Sequence, residues 1–234
     1  MPACCPPESL PRVDKTSELP LKQSMLILVG SPRRNGNSAT LGEAVAQGAR
    51  AAGQSPRIAF IDDYISSFLR DCRKCRKADG ECSIEDRFRE LFFEAFLPAE
   101  AVVFCTPIYW YGVSAQTKAF FDRTFCYYAA SYPHSGEVVA RMQGKRIGLV
   151  LSSEETYPGA SLGIIHQIQE YSRYTNSDFV GVVRGIGNSR GEVTSDPCKP
   201  LAEAEALGRE ILGRKFSDYH IDTPRAGRVW PAGS

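Results

Sequence analysis

The sequence lacks any apolar run near the roughly 20 residues that a membrane-crossing helix needs. Its first 23 residues scatter Pro2, Pro6, Pro7, Pro11 and Pro20 among polar neighbours and carry no apolar core of a secretory signal. These absences predict a cytoplasmic protein with no membrane partner. Neither charge is in surplus: 28 Lys+Arg stand against 27 Asp+Glu. A surface that follows nucleic-acid phosphates needs a basic excess, so no nucleic-acid partner is expected. Histidine is scarce, and His134, His166 and His220 share no ligand spacing. No internal repeat is visible.

Two familiar phosphate motifs are also missing. A P-loop needs Gly-Lys followed by Ser or Thr, and here Gly36 is followed by Asn37 with no lysine in the loop. The dinucleotide fingerprint G-x-G-x-x-G does not occur either.

What is present is an ordinary globular composition, with 43% hydrophobic and 24% charged residues, enough for a sizeable core. Short apolar runs at Met25–Val29, Arg57–Ile61, Ala101–Cys105, Arg146–Leu151 and Asp178–Val183 fit strands buried on both faces. Helical periodicity separates them at Ser38–Ala52, Asp86–Leu97, Ser114–Phe125, Ser161–Tyr174 and Leu201–Leu212. Strict alternation of strand and helix predicts a doubly wound α/β parallel sheet, because each right-handed crossover lays a helix on a sheet face. The domain is expected at 24–215, flanked by tails at 1–23 and 216–234.

The first strand ends in Gly30-Ser31-Pro32-Arg33-Arg34-Asn35-Gly36-Asn37-Ser38 and a helix follows at once. Backbone N–H groups and the helix dipole favour an anion there. Ser31, Asn37 and Ser38 can add donors, and Arg33 a charge-assisted one. The plainer alternative is a βα turn with Asn37 or Ser38 as N-cap.

This loop resembles that of the NADPH-dependent FMN reductase family, close to its iron–sulfur flavoprotein branch. A second segment, Thr106-Pro107-Ile108-Tyr109-Trp110-Tyr111-Gly112, is similar to the family's loop after the third strand. The resemblance spans residues 25 to about 213. It implies a flavodoxin-like, three-layer αβα fold with a five-stranded parallel sheet in the order 2-1-3-4-5. It also implies FMN as cofactor, with Ser31, Arg33, Asn37 and Ser38 on the phosphate. Pro107, Ile108, Tyr109, Trp110, Tyr111 and Gly112 would wall the isoalloxazine ring. A third, looser loop places Ser152 and Ser153 beside them. The three adjacent aromatics also suit a subunit interface, where Tyr and Trp are enriched.

The resemblance implies an oxidoreductase that takes hydride from NAD(P)H. Its acceptor would be small: a quinone, a nitro or azo compound, a metal oxyanion or flavin. A homodimer or homotetramer is expected. The alternatives are an electron carrier between protein partners, like the iron–sulfur flavoproteins, and a non-catalytic sensor. No catalytic acid, base or nucleophile is assigned, since a flavin carries such chemistry itself.

Cys72, Cys75 and Cys82 form a cluster in the segment before the second helix. Fe–S centres are usually held by four cysteines, and Ala78 stands where the next Cys-x-x-Cys step would fall. The expectation is therefore a loop of reduced thiols without metal. A cluster, or a redox-active pair of Cys72 with Cys75 or Cys82, remains the alternative. Cys105 and Cys126 are expected to fill the core.

Overall fold

The computed structural model describes residues 25–71, 74 and 76–215. The two expected tails, and Cys72 and Cys75, lie outside the described residues. The parallel strands are β1 (Met25–Val29), β2 (Pro56–Phe60), β3 (Ala101–Tyr109), β5 (Arg146–Ser153) and β6 (Asp178–Ile186), in the spatial order β2-β1-β3-β5-β6. This is the expected 2-1-3-4-5 order. A two-residue strand, β4 (Gly112–Val113), pairs antiparallel with the end of β3.

Alternate residues of β1 serve opposite layers. Met25, Ile27 and Val29 pack with α1 (Asn37–Ala51) and α6 (Pro200–Glu210), through Leu41, Val45, Ala204 and Leu207. Leu26 and Leu28 face α3 (Ala115–Tyr128), α4 (Ser135–Met142) and α5 (Leu162–Thr175) through an aromatic-rich core. Phe88, Phe92, Phe96, Phe104 and Phe120 dominate that core, with Phe96 and Phe120 edge-on at 4.9 Å between ring centroids. Both faces of β1, β3 and β5 are buried, which is why these runs read as continuously apolar. Glycine lets α1 and α6 touch: a Cβ at Gly48 would lie 1.9 Å from Glu205 O, and one at Gly208 2.0 Å from Val45 O.

Four elements differ from expectation. The helix expected at Asp86–Leu97 is a short α2 (Phe88–Glu90) continuing into a π-helix, Leu91–Phe96. Its phenylalanines are spaced closely enough to suit either winding. The helix α4 was not foreseen; its eight residues bury only Val138 and Met142. The segment Thr106–Tyr109 is strand, because β5 extends beside it as far as Pro107↔Ser152. Finally, α1 begins at Asn37 with Gly36 as N-cap. Neither Asn37 nor Ser38 caps it, because the Asn37 amide reaches across to Gly187 instead.

Candidate functional site

The carboxyl ends of β1, β3, β5 and β6 converge on one cavity of about 240 Å³. In an open parallel sheet this edge is where ligands sit, at the point where strand order reverses. Its lining brings together Ser31, Arg33, Asn37, Ser38, Pro107, Ile108, Tyr109, Ser152 and Ser153. Of the residues singled out in the sequence, Trp110, Tyr111 and Gly112 fall outside this lining.

One part of the lining comes from the start of α1. The first N–H groups of a helix have no intrahelical partner, and no side chain caps this one. Gly36 at the cap, with Asn37 and Ser38 after it, lines the cavity, and a helix start of this kind favours an anion. The Ser38 hydroxyl, buried, shares a hydrogen bond of 2.8 Å with Ser152 Oγ, so it joins the start of α1 to the end of β5. Arg33 and Arg190 are exposed cations on the lining. Asn37 Nδ2 donates to Gly187 O at 2.8 Å, and its Oδ1 accepts from Val193 N at 3.4 Å. Its side chain thus clamps the β6 loop, and its backbone N–H stays in the first turn of α1.

A buried hydroxyl network stands behind the loop. Ser114 caps α3, accepting from Thr117 N at 3.3 Å, and donates to Gly30 O at 2.6 Å. Thr106 Oγ1 accepts from Ser114 N at 3.1 Å. Gly30 is needed for this closeness, since a Cβ there would sit 2.0 Å from Thr117 Oγ1. The network ties the turn after β1 to the end of β3 and the start of α3.

The aromatic stretch at the end of β3 is a tight hairpin. Tyr109 pairs with Gly112 across Trp110 and Tyr111, whose φ values are +49° and +58°. A two-residue hairpin turn wants φ > 0 at both central positions, normally supplied by Asn and Gly. Two bulky aromatics held this way are strained. Tyr109 enters the cavity lining, whereas Trp110 projects outward, 97% exposed. Tyr111 lies 6.4 Å from Tyr157 on the rim, ring to ring.

The fourth wall was missed in the sequence. Gly187, Asn188, Ser189 and Arg190 follow β6, and Glu192 shapes them by accepting from Asn188 N at 2.9 Å and Ser189 N at 2.6 Å. The signal available was the pair Gly187 and Gly191 around a short polar turn. A side chain at Gly187 would strike Val193 N at 2.7 Å. Glu154 and Glu155 add an acidic side to the rim.

A family model described as flavodoxin-like fold matches residues 23–192. The chain belongs to the flavodoxin-like fold family. Within that family it is 25% identical over 183 residues to YwqN of Bacillus subtilis (strain 168), an inferred NAD(P)H-dependent FMN-containing oxidoreductase. That match covers 78% of this chain and 96% of YwqN. It is 26% identical over 202 residues to an iron–sulfur flavoprotein of Archaeoglobus fulgidus, covering 83% of this chain and 81% of the relative. Among solved structures it superimposes on the NAD(P)H:quinone oxidoreductase of Methanothermobacter marburgensis with a TM-score of 0.56. There the identity is 18%, over 82% of this chain and 98% of the other, so this likeness concerns the flavodoxin-like fold.

The site is mostly polar, with one short apolar stretch. An uncapped helix start with Ser31, Ser38 and Arg33 lies at one end, and Pro107, Ile108 and Tyr109 line the other. Among the described residues, no group of three or more His, Cys, Asp or Glu is placed to hold a metal ion. No helix among them is long and apolar enough to cross a membrane.

Proposed function

We propose that this chain is an FMN-dependent NAD(P)H oxidoreductase that passes electrons to a small acceptor. The observation that carries the reading is the convergence of an uncapped, glycine-started helix and an apolar strand end on one cavity at the switch point of the sheet. Bound there, FMN supplies the hydride chemistry. Ser31, the Ser38–Ser152 hydroxyl pair, Arg33 and the first N–H groups of α1 hold its phosphate; Asn37 keeps the β6 loop against it. Pro107, Ile108 and Tyr109 would bear on the ring, and the hairpin of Trp110, Tyr111 and Gly112 stands beyond this lining. The names of YwqN and of the quinone oxidoreductase support a nicotinamide donor, and the latter's name a small acceptor such as a quinone. The exposed aromatics Tyr109, Trp110, Tyr111 and Tyr157 support a homodimer or homotetramer covering this rim.

The test is retention of cofactor. Purified protein incubated with FMN and passed through a desalting column should emerge yellow, with about one flavin per chain. A folded protein that emerges colourless contradicts the assignment.

A further inference from the structure

Cys82 and Cys126 are far apart in the sequence, yet they meet. The segment from Arg76 to Asp86 is fastened to the C-terminal half of α3 by several independent contacts. Arg76 Nη2 donates to Cys126 O at 2.6 Å, and Arg76 bridges antiparallel to Cys82. Tyr127 and Tyr132 donate to the two carboxylate oxygens of Glu81 at 3.0 and 3.2 Å. Asp86 pairs with Arg123, both side chains being almost fully buried. These contacts hold the Cys82 sulfur against α3. It accepts a hydrogen bond from the Cys126 thiol, and the Arg123 guanidinium lies 4.0 Å away.

The two sulfurs differ in access. Cys126 is 2% exposed. Cys82 is half-buried and lines a cavity of about 230 Å³ with Lys77, Arg89, Arg123 and Tyr127. A small solute reaches one sulfur and not the other. The acidic groups of the same cavity are engaged: Glu81 by Tyr127, Tyr132 and Arg89, and Asp86 by Arg123. Only Asp79 and Glu85 add further negative charge to its walls.

We propose that Cys82 and Cys126 form a peroxide-sensitive dithiol, in which Cys82 is the sulfur attacked and Cys126 the one that resolves it. The Cys126 hydrogen bond, the Ile84 backbone and Arg123 together outweigh burial and hold the Cys82 thiol down at about 5, so it is charged at neutral pH. The charged sulfur attacks one oxygen of hydrogen peroxide; the O–O bond breaks, Cys82 becomes a sulfenic acid and hydroxide leaves. The Cys126 sulfur then attacks the sulfenyl sulfur. An S–S bond forms, the S–O bond breaks, and the oxygen departs as water with the Cys126 proton. Overall the two thiols lose two electrons and two protons, and the peroxide becomes two waters. The product staples the 76–86 segment to α3.

Full-length protein should be exposed to a small excess of hydrogen peroxide, quenched with N-ethylmaleimide, digested without reductant and mapped by mass spectrometry. The major disulfide should join the Cys82 and Cys126 peptides and vanish on reduction. In Cys126→Ser, which keeps a donor beside Cys82, Cys82 should accumulate as a sulfenic acid captured by dimedone. In Cys82→Ser, Cys126 should stay reduced. Iron should be measured on the same batch. Cys82 left unmodified, protected by bound iron, or joined to Cys72 or Cys75 overturns the proposal; the parent map alone decides this if the variants do not fold.

Discussion

Single side chains carry separable parts of the account. In the proposed site Arg33 and Ser38 act on one phosphate, so replacing both with alanine would remove two donors to the same anion. Charge-assisted hydrogen bonds contribute about 1.5–3 kcal/mol each, so the FMN dissociation constant should rise at least about tenfold by fluorescence titration. Ser38→Ala also strips Ser152 of its buried partner, and a control Ser152→Ala separates the two effects. The Asp86–Arg123 pair makes a stability prediction. Burial alone would push the Asp86 carboxyl up, but Arg123 and the N–H groups of Phe88 and Ser66 outweigh it and hold it below its usual 3.8. A lowered carboxylate contributes stability that is complete above the unfolded value and lost as pH falls below it. Asp86→Ala leaves the Arg123 charge buried and unpaired, which should cost about 3–5 kcal/mol at neutral pH in urea unfolding. The gap between parent and variant should narrow below about pH 3.8. Cys82 is tested by alkylation. An ordinary thiol loses roughly a hundredfold in rate from pH 8 to pH 6. Peptide-resolved labelling should find Cys82 nearly level across that interval.

Elements differ in how plainly the sequence announces them. The central strands β1, β3 and β5 were legible because burial on both faces makes each a continuous apolar run, and the helices on one side because Leu41, Val45 and Ala49 recur at helical spacing. The π-helix was not, since Phe88, Phe92 and Phe96 satisfy an α-helical period equally well. The hairpin after β3 was hidden by its chemistry: Trp-Tyr in place of Asn-Gly gives no turn signal, and the strain appears only in the φ angles. That strain predicts a gain in stability on repair. Trp110→Asn combined with Tyr111→Gly should stabilise the chain by about 1–2 kcal/mol in thermal or urea unfolding, because each left-handed residue then suits its conformation. The same change removes the outward aromatics, so assembly measured by sedimentation should weaken. A loss of stability would show that Trp110 and Tyr111 hold the hairpin by packing instead.

At the scale of the molecule, alternation predicted a doubly wound parallel sheet with ligands at its carboxyl edge, because right-handed crossovers and the switch point leave few choices, and the family resemblance supplied the strand order. Three of the four cavity walls were visible as polar or aromatic loops after β1, β3 and β5. The fourth, Gly187 to Arg190, was not, since only the fold brings the end of β6 beside α1 through Asn37. The meeting of Cys82 with Cys126 was equally invisible, being a contact between a loop and a helix distant in sequence. The central claim is that the cavity holds FMN for hydride transfer from a nicotinamide. The most direct measurement is the visible spectrum of FMN-loaded protein, without oxygen, as NADPH or NADH is added alone. The account predicts that the flavin bands bleach within the mixing experiment and return when a quinone is supplied. Flavin that stays oxidised with both nicotinamides and is reduced only by a protein donor would contradict it, and would make this chain an electron carrier.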